Sequence, residues 1–263
     1  MKRYAKLYIM FLKQYIKSLI EYRIDFILGL IGFLLVQGTG VIFLKLIFNN
    51  IPLLVGWSFY EILFIYGFAQ IPRGLDHVFT DYIWIFSWKT IVRGEFDRYL
   101  LRPINPLFQI IAERFQPDGF GEIIVGIILV LISSINLGVY YTPTKIVYFI
   151  FAIICGAIIY TAIKLAVAST AFWLKNAMPY MNMVYSLSEF SKYPIEIYNK
   201  GIKNLLTFFI PFAFTGFYPA AYFLGKGTFN QGIIMTFVIA AISITIAYRV
   251  WLMGIKAYES SGN

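Results

Sequence analysis

Histidine and cysteine each occur once in this 263-residue chain, as His77 and Cys155. A disulfide within the chain is therefore impossible, and any metal site would have to rest mainly on carboxylates, since neither H-E-x-x-H nor paired cysteines occur. Cys155 lies inside an apolar run and reads as a small core residue. Charge is scarce as well: Asp, Glu, Lys and Arg make up 13% of the chain, against about 25% in soluble domains. The net charge of +9 raises the question of nucleic acid or anionic lipid, but there is no basic run, and no nucleic-acid partner is expected. The G-x-S-x-G elbow is missing. So is G-x-x-x-x-G-K-[ST]; Gly225, Lys226, Gly227 and Thr228 imitate its end, but Gly227 stands where Ser or Thr is needed. No catalytic, cofactor-binding or metal-binding residue is expected here, and no internal repeat is visible.

What the chain has in abundance is apolar and aromatic side chains, 60% and 19% of its residues. This composition is that of an all-α, polytopic membrane protein. Six spans of about 22 residues would occupy half of the length, leaving room for one bundle and none for a large soluble domain. The apolar runs place the spans at 24–48, 59–88, 118–139, 146–174, 205–224 and 232–253 of a single domain covering 1–263. Residues 1–23 differ from a secretory signal. Lys2, Arg3, Lys6, Lys13, Lys17 and Glu21 gather on one side of a helical wheel opposite Tyr4, Leu7, Phe11 and Tyr15, which predicts an amphipathic helix lying in the membrane interface or packed on protein.

Orientation follows from Lys and Arg, which stay on the cytoplasmic side. With the N-terminus inside, seventeen of them fall in inner segments, against Lys145 and Lys226 outside. Trp57 then sits at an outer span end and Trp84, Trp88, Trp173 and Trp251 near inner ends, the depth that indole rings prefer. Both termini are expected in the cytoplasm, and the segment Lys175 to Asn204 is expected as a polar stretch on that side.

The richest polar stretch, Lys89 to Arg114, separates the second and third spans. Glu95 and Asp97 suit the first turn of a short helix, and Phe96, Tyr99 and Leu100 share one of its faces. Arg102 before Pro103 ends that helix, and Asn105 caps a second one with Pro106 at its first position. A helix of two turns is not stable alone. It needs a docking partner, either the bundle's own base or another protein.

The string Gly94-Glu95-Phe96-Asp97, followed by Leu100-Leu101-Arg102-Pro103-Ile104-Asn105, resembles the signature of ABC-2-type transport permeases of about 260 residues. Tyr193-Pro194-Ile195, Leu206 to Phe214 and Tyr218-Pro219-Ala220 are similar to that group too. The resemblance implies a half-transporter in the cell membrane, the bacterial plasma membrane, that exports an amphipathic drug, lipid or peptide by alternating access. It further implies a second permease chain, identical or a sister, and separate ATPase subunits that carry the ATP and Mg. Residues Glu95, Phe96, Asp97, Arg98, Tyr99, Leu100, Leu101 and Arg102 would form the coupling helix in contact with the ATPase.

Within the membrane, Arg73, Asp76, His77 and Asp81 recur at helical spacing on one face, as a polar seam or as a self-paired ion network. Lys164 lies too deep for snorkelling and would point inward. Pro211 removes a backbone hydrogen bond and should kink the fifth span. Gly216 and Ala220 offer a surface for close helix contact. Two rival readings remain: a proton-coupled secondary transporter using Asp76, His77 and Asp81, and a lipid-acting enzyme using Glu61, His77 or Asp81. A non-transporting scaffold is a third.

Overall fold

The computed structural model describes residues 7–10, 13 and 23–259. The amphipathic helix expected over 1–23 lies almost wholly outside the described residues. The long elements are α1 (Arg23–Asn50), α2 (Phe59–Thr80), α6 (Gly119–Leu137), α7 (Pro143–Ser169) and α12 (Met235–Ala257). Between them lie the shorter helices α3 (Tyr82–Ile85), α4 (Asp97–Leu100), α5 (Pro106–Glu113), α8 (Ala171–Leu174), α9 (Met178–Ser188), α10 (Lys200–Asn204) and α11 (Phe217–Phe223). Among the described residues the only β pairing is an isolated one, Leu54 with Trp57. It closes the α1–α2 turn through Val55 and Gly56, both at positive φ.

α2 is the axis of the bundle. It crosses α6 in antiparallel fashion through two glycine pairs: a Cβ on Gly67 would stand 2.9 Å from the Gly126 carbonyl oxygen, and one on Gly74 would stand 2.7 Å from that of Gly119. Any side chain at these points would push the backbones apart. The opposite side of α2 rests on α7, where Pro72 abuts Gly156. Two large apolar clusters and a small third one, around Cys155, Ile159, Phe214 and Ala240, fill the interior among the described residues. One large cluster, towards the end that carries the α1–α2 turn (the top), contains Trp57, Phe64, Phe68 and Phe217. The other, at the base, contains Phe86, Phe96, Tyr99, Phe172 and Trp251. Trp57 and Trp251 are thus buried in protein rather than turned to headgroups, whereas Trp173 remains exposed.

The stretch 175–204, expected as a polar segment on the cytoplasmic side, packs along the flank of the bundle. Ala177 N–H donates to the Ser87 carbonyl (2.8 Å), the Tyr185 ring meets Trp84 at 4.7 Å, Glu189 pairs with Arg73, and the Tyr193 ring reaches Tyr66 at 6.3 Å. As the residue number rises, the partner falls from Ser87 and Trp84, past the end of α2, to Arg73 and Tyr66 within it, so this segment climbs from the base beside α2. Its polar groups tolerate that position because they find partners there: Ser188, Ser191 and Lys192 are all buried.

Beyond it, Lys200–Phe209 and Phe212–Phe223 meet at 76° across Ile210 and Pro211. Pro211 lacks the N–H that would continue the helix. Gly216 sits against Ala69 and the Ser191 carbonyl, and Ala220 is buried. Phe217 then packs on Trp57 at the top (5.6 Å). Among the described residues four helices are long and apolar enough to cross a membrane, Ile27–Asn50, Gly119–Leu137, Pro143–Leu174 and Asn230–Ala257, and the bent pair makes five if it is one span. α2 falls short on composition, for it carries Glu61, Arg73, Asp76 and His77.

Candidate functional site

Two assemblies stand out, one at the base and one inside. At the base, Gly94 (φ +65°) turns the chain into α4. Phe96 is 0% exposed, its ring packed against Phe172 (5.1 Å) and Tyr258 (5.0 Å). Tyr99, equally buried, donates its hydroxyl to Glu113, which also receives Arg98 at 2.9 Å. Burial, then the Glu113 carboxylate, pushes the Tyr99 phenol well above its usual range, so it stays a donor. Gln109 Nε2 donates to the carbonyls of Tyr99 (3.0 Å) and Ile104 (2.9 Å), and Asn105 Oδ1 accepts from Phe108 N–H (3.2 Å), which ties α4 to α5. A one-turn helix is held here by its neighbours, since burying a Phe side chain alone contributes about 1.5–3 kcal/mol.

This geometry corrects the eight-residue contact surface expected from Glu95 to Arg102. Phe96 and Tyr99 face the chain's own base and cannot touch another protein. Glu95 and Asp97 are half-buried, and Arg98 is tied to Glu113. Leu100, Leu101 and Arg102 are the exposed apex, with Leu101 at 85%.

Inside, the charged residues form one chain of ion pairs: Lys192, Glu189, Arg73, Glu122, His77, Asp81, Lys164, Asp76. Of the pairs expected along α2, only His77 with Asp81 occurs (3.9 Å). Asp76 instead pairs with Lys164 of α7 at 2.8 Å, both side chains fully buried. The Asp76 carboxylate also accepts from Thr80 (2.6 Å), Thr161 (2.8 Å) and Tyr185 (2.8 Å). Arg73 lies between Glu122 (3.6 Å) and Glu189.

Glu122, Glu189, Lys192, Thr161 and Tyr185 escaped the sequence reading. Glu122 carried a usable signal, as the one ionisable side chain of α6. Two cavities flank the ion chain. One of about 270 Å³ is lined by Arg73, His77, Asp81, Trp84, Glu122 and Tyr185. The other, about 500 Å³, lies between α1 and the Arg73, Glu122, Glu189 and Lys192 side chains. Arg73 and Glu122 border both and stand as the partition. Among the described residues no group of three or more His, Cys, Asp or Glu side chains is placed to hold a metal ion.

Glu61, the remaining candidate for lipid chemistry, is engaged at the top. Its carboxylate accepts from Ser58 N–H (2.8 Å) and pairs with Lys226 (2.8 Å). Lys226 also donates to the Gly56 carbonyl, so the Gly225–Thr228 turn serves as a clasp.

Apolar spanning helices around a charged interior define an all-helical, multi-pass membrane protein. Residues 33–262 match the family described as ABC-2 family transporter protein. The chain belongs to that family and is an ABC transporter permease, which supports a role as a membrane transport subunit not itself catalytic. Comparison with curated proteins and with solved structures found no match.

Proposed function

We propose that this chain is the membrane subunit of an ATP-driven exporter, working with separate ATPase subunits and a second permease chain in the bacterial plasma membrane. The observation that carries this reading is the division of labour at the base: Phe96 and Tyr99 are locked into the bundle, and Leu101 projects from it. An element so anchored transmits a push from below to Phe86, just past α3, and to Phe172 and Trp251, hence to α3, α8 and α12. Leu100, Leu101 and Arg102 then form the ATPase contact, and ATP with Mg stays on the partner. Alternating access would move an amphipathic drug, lipid or peptide through a pathway completed by two permeases.

The topology in this proposal has six crossings with both termini cytoplasmic and the base facing the cytoplasm. The climb of Met178–Tyr193 beside α2 supports assigning the fifth crossing to that segment in place of 205–224. Eleven α-helical and four 3₁₀ residues rise about 25 Å. Lys200–Phe223 would then re-enter from the outer side, bent at Pro211. Lys200 and Lys203 move outside and Lys192 into the bilayer, leaving fourteen inner Lys and Arg against four outer, so the charge bias keeps its sign.

The half-buried His77 between Glu122 and Asp81 favours a second reading, proton-coupled transport without ATP. Transport in sealed vesicles separates the two. Export that needs ATP and the ATPase subunit supports the first, whereas export by this chain alone on a proton gradient refutes it.

A further inference from the structure

We propose that the smaller cavity is a binding site for an organic cation, an amine or quaternary ammonium group, recognised by Glu122 with Asp81, Trp84 and Tyr185. The inference rests on the transport reading and names the class of cargo headgroup.

The argument begins with the order of charges. Along the ion chain Lys192, Glu189, Arg73, Glu122, His77, Asp81, Lys164, Asp76, signs alternate at every place if His77 counts as positive. Four carboxylates therefore face three permanent cations, and a neutral imidazole leaves one negative charge uncompensated in the low-dielectric interior. The uncompensated place lies between Glu122 and Asp81. His77 approaches them only at 3.6 and 3.9 Å, beyond hydrogen-bond range.

Glu122 supplies a second, independent observation. Its side chain is 6% exposed, and its Oε2 atom has no hydrogen-bond partner. A buried carboxylate oxygen without a donor is costly, so a ligand that brings a positive donor is favoured there. Glu122 borders the cavity of about 270 Å³, whose other walls include Trp84 and Tyr185, edge to face at 4.7 Å. Aromatic faces beside carboxylates hold an organic ammonium through its charge and its methyl or methylene groups together. The volume lies at the low end of ligand pockets, roughly 300–1,000 Å³, and suits a headgroup while the apolar remainder of a cargo lies elsewhere. Arg73 also lines the cavity, but it is already held between Glu122 and Glu189, so an anion finds no cation to spare.

A proton and the ligand compete for the same vacancy in charge. Around His77 stand Arg73, Asp76 and Asp81 on its own side of the bundle, Glu122 from α6, Lys164 from α7 and Tyr185 from α9. Protonating the imidazole fills the missing positive place. Binding should therefore weaken as the pH falls and the imidazole takes up its proton.

The test is calorimetric titration of the purified chain in an uncharged maltoside detergent, with benzyltrimethylammonium as probe and benzenesulfonate as its counterpart of opposite charge. Saturable binding of the cation and none of the sulfonate is expected. Glu122→Gln and Trp84→Leu should each weaken cation binding by at least about tenfold, with Glu61→Gln at the top unchanged. Equal binding of both probes, or an undiminished affinity in Glu122→Gln, overturns the proposal. Elution profile and melting temperature verify the fold of each variant. Should both cavity variants unfold, probe selectivity and pH dependence in the unaltered chain decide the matter. No ATPase is present, so lack of cation binding leaves the exporter reading intact, and lack of ATP-driven transport leaves the binding result intact.

Discussion

Lys164 and Asp76 show how a charge is kept inside an apolar bundle. Both side chains are fully buried, and three hydroxyl donors complete the carboxylate. Removing one partner strands the other, which costs about 3–5 kcal/mol, whereas replacing both with apolar residues is often neutral. Lys164→Met should therefore lower the melting temperature sharply, and Lys164→Met with Asp76→Leu should recover most of the loss. Equal losses in the single and double variants would show that the pairing is not what stabilises this place. The sequence exposed Asp76 and Lys164 individually, because each interrupts an apolar run. It concealed their pairing, since spacing along one helix reveals neighbours on that helix alone. Glu189 and Lys192 were hidden for a related reason: a polar stretch reads as surface unless its partners across the bundle are known.

At the level of elements, the base is the instructive case. Asn105 and Pro106 announced the start of α5 because capping is a local rule, and the structure has that helix at Pro106–Glu113 with Asn105 as its cap. Which face of α4 turns inward is decided by Phe86, Phe172 and Trp251, residues distant in sequence, so anchors and apex were indistinguishable beforehand. They now separate in their expected behaviour. Phe96→Ala opens a cavity in the base cluster and should destabilise the chain by about 3–5 kcal/mol, measured by thermal unfolding in detergent. Leu101→Ala should leave the melting temperature unchanged and weaken retention of the ATPase subunit. A Leu101→Ala variant that unfolds, or a Phe96→Ala variant as stable as the parent, would contradict this division. The fifth span shows a complementary limit of the sequence: Leu205 to Leu224 is the more apolar stretch and gives no sign of the 76° bend at Ile210–Pro211, while the polar segment before it gives no sign that it climbs beside α2.

For the whole molecule, composition was enough to indicate a helical membrane bundle, while its packing through Gly67–Gly126 and Gly74–Gly119 left no mark distinguishable from other glycines. The proposed route of the chain has a direct check: Lys203→Cys in a Cys155→Ser background should react with a membrane-impermeant maleimide applied outside intact cells. Protection from outside and reaction only after lysis would return that segment to the cytoplasm. The central claim is that movement reaches this bundle through the exposed apex of the base. Its most direct measurement is crosslinking at Leu101→Cys, again with Cys155→Ser, in membranes of the native host, with the adduct identified by mass spectrometry. The account predicts an adduct with an ATP-binding subunit, formed from the cytoplasmic side and altered by ATP. Labelling of that cysteine from the external side, or its freedom from any ATP-binding subunit while ATP-driven transport proceeds, would contradict it.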